Sequence, residues 1–158
     1  VERREVRAAE VARRAVGPLA TAMDLRDVNL VLQLDEAATF QGDAPWTAEA
    51  VENIAKNCME HTPPGGTVTV AVREDALATT IAVSDTGPGI APEDLPHIFE
   101  RFYRGGAVEE ANVAQPAGFG IGLSLAQALV SAQGGTLRAS NNPVGGARFE
   151  IAFPKLVV

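Results

Sequence analysis

Apolar positions along the chain recur with two periods, and the switches between them mark out the elements. Over residues 5–19, Val6, Ala9, Val11, Ala12, Ala15 and Val16 recur at helical spacing, and Gly17-Pro18 supply a stop. Val28, Leu30, Leu32 and Leu34 alternate, which predicts a strand over 27–34 with those four on one face. Residues 39–43 read as a short second strand. The clearest helix is predicted over 47–61, with Thr47 as N-cap. In it Val51, Ile54, Ala55, Cys58 and Met59 follow the i, i+3, i+4, i+7, i+8 pattern and face a sheet, which puts Asn53, Asn57 and Glu60 on the far side. After a Pro/Gly turn at 62–66, Val68, Val70 and Val72 mark a strand and residues 77–84 another. A short helix is predicted over 92–99, with Glu93 and Asp94 in its first turn. Residues 105–118 have no periodicity. A helix over 120–133 closes at Gly134-Gly135, and residues 136–140 and 147–153 form a hairpin whose inward set is Phe149, Ile151 and Phe153. The expected fold class is α+β: a two-layer α/β sandwich with a mixed, mostly antiparallel sheet covered on one face by helices.

Length and composition narrow the function classes. At 158 residues the chain is expected to be one domain, 1–158. An apolar share of 46% with 21% charged residues is ordinary for a globular protein and excludes a disordered or fibrous one. The lone Cys58 excludes a disulfide framework. No apolar run approaches the roughly 18 residues of a membrane span, and the Val1-Glu2-Arg3-Arg4-Glu5 start is too charged for a signal peptide. Without an initiator Met, the chain is expected to be a piece of a longer protein. A net charge of −7 weighs against nucleic-acid binding, though not against a small anionic ligand held by local donors.

Four motifs could carry chemistry. Asn53 and Asn57 stand one helical turn apart, and two amides at that spacing either converge on a ligand or are solvated; a side-chain carbonyl is a hard donor suited to Mg2+. Asp85-Thr86-Gly87-Pro88-Gly89-Ile90 follows a strand directly. It is either a plain turn or a carboxylate acceptor beside glycines that let a flat ligand approach the backbone. Gly118-Phe119-Gly120-Ile121-Gly122-Leu123 opens a helix with free N–H groups that suit phosphate, though it is neither a dinucleotide fingerprint nor a P-loop. Phe99-Glu100-Arg101-Phe102-Tyr103-Arg104 reads as a packed anchor for the following loop, or as a source of an arginine for phosphate.

Taken in order, these segments resemble the N, G1, F and G2 boxes of the catalytic ATP-binding domain of bacterial sensor histidine kinases. The likeness covers nearly the whole chain, more loosely before residue 42, and Gly145-Gly146-Ala147-Arg148-Phe149 is similar to the closing glycine turn of that domain. The resemblance implies the sandwich shared with gyrase, mismatch-repair ATPases and heat-shock chaperones, with ATP and Mg2+ as ligands. By that likeness Asp85 would bind the adenine amine, partly through water, and Asn57 would hold Mg2+. Gly118, Gly120 and Gly122 would cradle phosphate, with Phe119, Ile121 and Leu123 beside them, and residues 105–118 would form a lid. Asn53, Gly87, Gly89, Ile90 and Ala55 would line the site. Implied partners are the protein's own dimerisation and phospho-acceptor domain and a response regulator. The piece itself would be monomeric, without direct membrane contact, in the cytoplasmic part of a membrane-anchored sensor.

Two departures qualify the likeness. Glu60 stands where many members carry a cation for the phosphates, so Lys56, His61 or Arg104 are the candidates to compensate. Neither His61 nor His97 lies in an acceptor-type helix; His61 is expected at the edge of the site and His97 at the surface. The alternatives are an ATP hydrolase, a serine kinase like the anti-sigma factors, or a nucleotide-binding module without activity. Hydrolysis is disfavoured because Asn53 occupies the position of the family's Glu base, and an amide takes no proton from water.

Overall fold

A computed structural model describes residues 2–103 and 122–155 of the chain. In chain order the elements are β1 (Arg4–Arg7), α1 (Ala8–Val16), α2 (Ala20–Leu25), β2 (Asn29–Leu34), β3 (Thr39–Gly42), α3 (Ala44–Glu60), β4 (Thr67–Glu74), β5 (Ala78–Asp85), α4 (Leu123–Ser131), β6 (Thr136–Asn141) and β7 (Ala147–Pro154). Single 3-10 turns lie at Gly17–Leu19 and Leu95–His97. The main sheet runs β2-β4-β5-β7-β6, with β2 parallel to β4 and every other pair antiparallel. Helices α1, α3 and α4 cover one face, which is the expected α+β sandwich. No helix among the described residues is long and apolar enough to cross a membrane.

Strict alternation builds the core. Val68, Val70 and Val72 from β4, Ile81 and Val83 from β5, and Phe149, Ile151 and Phe153 from β7 all point under the helices. They meet Val51, Ile54, Ala55 and Cys58 of α3 and Leu123, Ala126 and Val130 of α4, all fully enclosed. The same period-2 rule has a consequence for function: Thr79, Ile81, Val83 and Asp85 share a face, so the carboxylate at the end of β5 lies on the helix-covered side.

The structure corrects several sequence expectations. The chain does not begin as a helix at residue 5. Arg4–Arg7 pairs with Thr39–Gly42 in a separate two-stranded sheet, because only Val6 of that segment has an apolar partner, Phe40. Gly17 does cap α1 as expected, and Pro18 then fits the first turn of a 3-10 segment that leads into α2. Asp43, not Thr47, caps α3: its Oδ1 accepts the Trp46 N–H at 3.0 Å, and that bond lowers the Asp43 pKa. Pro45 then sits in the first turn, where its missing N–H costs nothing. Over 92–99 only Leu95–His97 is helical, as a 3-10 turn, since Pro96 interrupts an α-helical ladder.

Thr47 has a different task. Its hydroxyl donates to the Asp43 carbonyl and to Gln133 Oε1, and Gln133 Oε1 also accepts the Asp43 N–H at 2.8 Å. Gln133 Nε2 donates to the Leu129 carbonyl, so one side chain, 2% exposed, ties the end of α4 to the start of α3. Gln133→Leu strands the Asp43 N–H and is expected to cost about 1–3 kcal/mol in urea unfolding. An unchanged urea midpoint would show that water replaces the amide.

Candidate functional site

The Asp85 carboxylate is 5% exposed and has no cation beside it among the described residues. Its Oδ1 accepts two backbone N–H groups, from Gly87 and from Ala147, each at 3.0 Å. The β5–β7 ladder ends at Ser84–Arg148, so the carboxylate takes the N–H that the next backbone carbonyl would otherwise receive. Both bonds go to one oxygen, which fixes the carboxyl group, and Oδ2 receives no backbone donor among the described residues. The loop after Asp85 requires its glycines. A Cβ on Gly87 would stand 2.3 Å from the His61 carbonyl, and one on Gly146 would stand 1.9 Å from the Asp85 carbonyl. Three backbones therefore meet at Asp85: the β5 exit, the C-terminus of α3 and the β6–β7 turn.

Helix α3 supplies the amides. Sequence periodicity puts Asn57 on the far, solvated side, but the residue is only 3% exposed, and its Nδ2 has no hydrogen-bond partner. The far side of α3 is thus covered in part, because α4 packs along it: Asn53 Cβ lies 4.0 Å from where a Cβ on Gly122 would stand. Asn53 and Glu60 are half-buried and Lys56 is exposed. His61 is half-buried at the helix end, with Nδ1 2.8 Å from the Asn57 carbonyl. Ala55 is wholly enclosed with the sheet-facing set and contributes packing rather than a wall, whereas Ile90 keeps 9% exposure at the end of the Asp85 loop.

Gly122 and Leu123 open α4, with Leu123 fully buried. Arg104, Gly118, Phe119, Gly120 and Ile121, together with the expected lid over 105–118, lie outside the described residues. Of the aromatic anchor, Phe99 packs edge-on against Phe149, but Phe102 is 64% exposed at φ 67°, under the Arg101 guanidinium. Packing of Phe102 into the core, expected from its spacing, does not occur; Tyr103 takes the second contact. Its hydroxyl bonds Asp94, which with burial pushes its pKa up to about 12, and its ring stacks on the exposed His97.

Comparison with known proteins decides the family. Residues 42–157 match the family described as histidine kinase-, DNA gyrase B-, and HSP90-like ATPase. The chain belongs to this ATPase family. It is 32% identical over 136 residues to the sensor-like histidine kinase SenX3 of Mycobacterium tuberculosis (strain ATCC 25618 / H37Rv), covering 86% of this chain and 32% of SenX3. It is 34% identical over 151 residues to the sensor protein IrlS of Burkholderia pseudomallei, covering 96% of this chain and 32% of IrlS. The solved structure of the mycobacterial sensor histidine kinase MprB superposes with a TM-score of 0.81 at 27% identity, over 96% of this chain and 97% of that one. The chain spans about a third of the length of these curated relatives.

Within the ATPase fold, sequence reasoning missed three contributors to the Asp85 environment. Gly146 and Ala147 were legible as a glycine turn, but nothing local says that the turn closes on Asp85. Asn141, at the end of β6, bonds the Ile90 backbone and carries no motif at all. Cys58 reads as a core residue and is one, yet its thiol also bonds Asp85. Burial first, then the Asp85 charge and that bond, push its pKa well up.

The Cys58 shift has a sign. The folded state holds the thiol, while the unfolded chain ionises near the ordinary value of about 8.5. Above that pH the unfolded state binds fewer protons, so stability falls as pH rises, by up to about 1.4 kcal/mol per unit until the folded thiol itself titrates. Wild type is therefore expected to lose stability relative to Cys58→Ala between pH 8.5 and 10 and not below pH 8, as read by urea melts at each pH. Parallel curves would show that Cys58 ionises alike in both states.

Proposed function

We propose that the chain, as one domain, binds Mg2+–ATP and donates the γ-phosphoryl group to a histidine on a separate dimerisation and phospho-acceptor domain of a sensor kinase. The observation that carries the reading is the buried Asp85 carboxylate, with one oxygen pinned by two backbone N–H groups and no cation beside it among the described residues, on the same helix-covered side as the unpartnered Asn57 amide. A buried N–H group without a partner costs about 1–3 kcal/mol unless a ligand or water meets it. That cost fits a site built around something the protein alone does not supply.

Asp85 only accepts hydrogen bonds, so the lone pairs not used by the backbone suit the adenine N6 amine and reject a carbonyl. Gly87 and Gly89 let the base approach the backbone, and Ile90 gives it an apolar wall. The Asn57 side chain offers a carbonyl to Mg2+ and N–H donors to phosphate oxygens. Asn53 faces the start of α4, so α3 and α4 bracket the phosphate end. Gly118, Phe119, Gly120, Ile121 and Arg104 belong to the proposed site by motif, and Lys56 is its described cation. When bound, ATP supplies the transferable phosphoryl group. Transfer to histidine is supported by relatives named as sensor histidine kinases. A response regulator as the next acceptor, a cytoplasmic location and a monomeric state belong to the same proposal.

Three measurements test it. With a separately supplied acceptor domain, labelled phosphate should appear on that domain's histidine in acid-labile form; steady release of inorganic phosphate by the chain alone would favour a hydrolase.

Calorimetry should show Mg2+–ATP bound at least about tenfold more tightly than Mg2+–GTP, since a charge-assisted hydrogen bond is worth about 1.5–3 kcal/mol. Guanine presents the O6 acceptor where adenine presents a donor. Equal affinities would remove the adenine role of Asp85.

Asn57→Ala should weaken Mg2+–ATP by about tenfold or more, for a lost contact to charged groups of about 1.5–3 kcal/mol, and leave adenosine binding nearly unchanged. Loss of both in parallel would place Asn57 at the base end, or in the fold alone.

A further inference from the structure

The Asp85 loop does not stay above its own strand. Asp85 on β5, Ala147 on β7 and Asn141 on β6 form one row across the end of the sheet. Asn141 is paired with Ala147 in the β6–β7 ladder, and Ala147 donates its N–H to Asp85. Two strand spacings separate β5 from β6, about 10 Å. The loop 86–90 spans that distance, passing over the β6–β7 turn. On the way Thr86 Oγ1 accepts the Thr67 N–H, Gly87 touches the His61 carbonyl, and a Cβ on Gly89 would lie 3.7 Å from the Gly146 carbonyl.

Its far end is held by one side chain. Asn141 Oδ1 accepts the Ile90 N–H at 2.7 Å, and Asn141 Nδ2 donates to the Ile90 carbonyl at 2.8 Å. Both bonds join one primary amide to one backbone residue, so the side chain imitates a strand partner for a single position. The approach is tight: Gly89 has φ +82°, and a Cβ there would stand 2.8 Å from Asn141 Oδ1. Aspartate would place a second acceptor against the Ile90 carbonyl, and serine is too short to make both bonds.

We propose that Asn141 is a positioning residue for nucleotide recognition: it clamps Ile90 and so sets both the apolar wall and the height of the Gly87–Gly89 backbone relative to the Asp85 carboxylate. The inference rests on the nucleotide reading above. Asn141 does not touch the base. It acts by holding the loop that does, from an element outside the motifs of the sequence.

The test compares wild type, Asn141→Ala and Asn141→Asp in the 158-residue chain, using Mg2+–ATP and Mg2+–GTP as probes in calorimetry, with thermal melts to confirm folding. Loss of the two bonds should weaken ATP by about threefold to tenfold in Asn141→Ala, and further in Asn141→Asp. The preference for ATP over GTP should fall in the same order, which a purely stabilising contact would not change. Folded variants with wild-type affinity and wild-type preference would overturn the proposal. Amide hydrogen exchange without nucleotide separates the two layers of the argument. The Ile90 N–H should be protected in wild type and lose protection in Asn141→Ala, whatever the ligand is. An unprotected Ile90 N–H in wild type would refute the clamp itself, whereas a protected one in a wild type that binds no ATP would refute the nucleotide reading and, with it, the role assigned to Asn141.

Discussion

Burying a carboxylate without a counter-charge is the constraint that organises this molecule. Removing an ion from water costs several kcal/mol unless the lost hydration is replaced. No arginine or lysine among the described residues pairs with Asp85. The replacement is made from backbone instead: the Gly87 and Ala147 N–H groups, with the Cys58 thiol as a further partner. Backbone donors have no reach of their own. The chain must come to the carboxylate, and this explains why three separate segments converge there and why two of them do so through glycine. Gly146 meets the Asp85 carbonyl at a distance no side chain tolerates, and Gly87 does the same at the end of α3.

That convergence also fixes where α3 sits. Its C-terminal residues must touch the Asp85 loop, while its N-terminus is set by the Asp43 cap and the Gln133 amide from α4. Between these two anchors the helix lies over the sheet with Val51, Ile54, Ala55 and Cys58 inward. Asn57 lies one turn beyond Asn53, which faces the start of α4, and is itself only 3% exposed. A buried amide with an idle N–H2 group is the residue of this geometry.

Periodicity made most of the sandwich legible. The alternation of Val68, Val70 and Val72 and of Phe149, Ile151 and Phe153 predicts both strands and their inward faces, because sheet sides differ sharply in burial here. The motif order made the site legible as a list of residues and not as an arrangement. The misses share a cause: each depends on a partner far away in the chain. Residues 4–7 form a strand by pairing with residues 39–42, where Phe40 meets Val6, and the 3% exposure of Asn57 is likewise a matter of tertiary packing that helical spacing does not report. The Asn141–Ile90 pair joins positions 51 residues apart, with no spacing rule to reveal it. Local propensity carries no information about such contacts, and the burial of a polar side chain is set almost wholly by them.

On the proposed reading, the same inventory says which nucleophile the site is made for. Water as a nucleophile needs a group that takes its proton at the moment of attack. Around the start of α4, α3 presents Asn53 and Asn57, both amides, which neither gain nor lose protons at neutral pH. Glu52 adjoins Asn53 in sequence but lies about 100° round the helix, and Glu60 is nearly a full turn beyond Asn57 at the other end. A neutral imidazole brings its own lone pair and loses no proton before it attacks, so it needs no base in this chain. The absence of a base from the described face of α3 thus matches an acceptor histidine delivered from another domain better than it matches hydrolysis. The site would then hold and orient the phosphoryl donor, and the identity of the acceptor would rest with the domain that presents it.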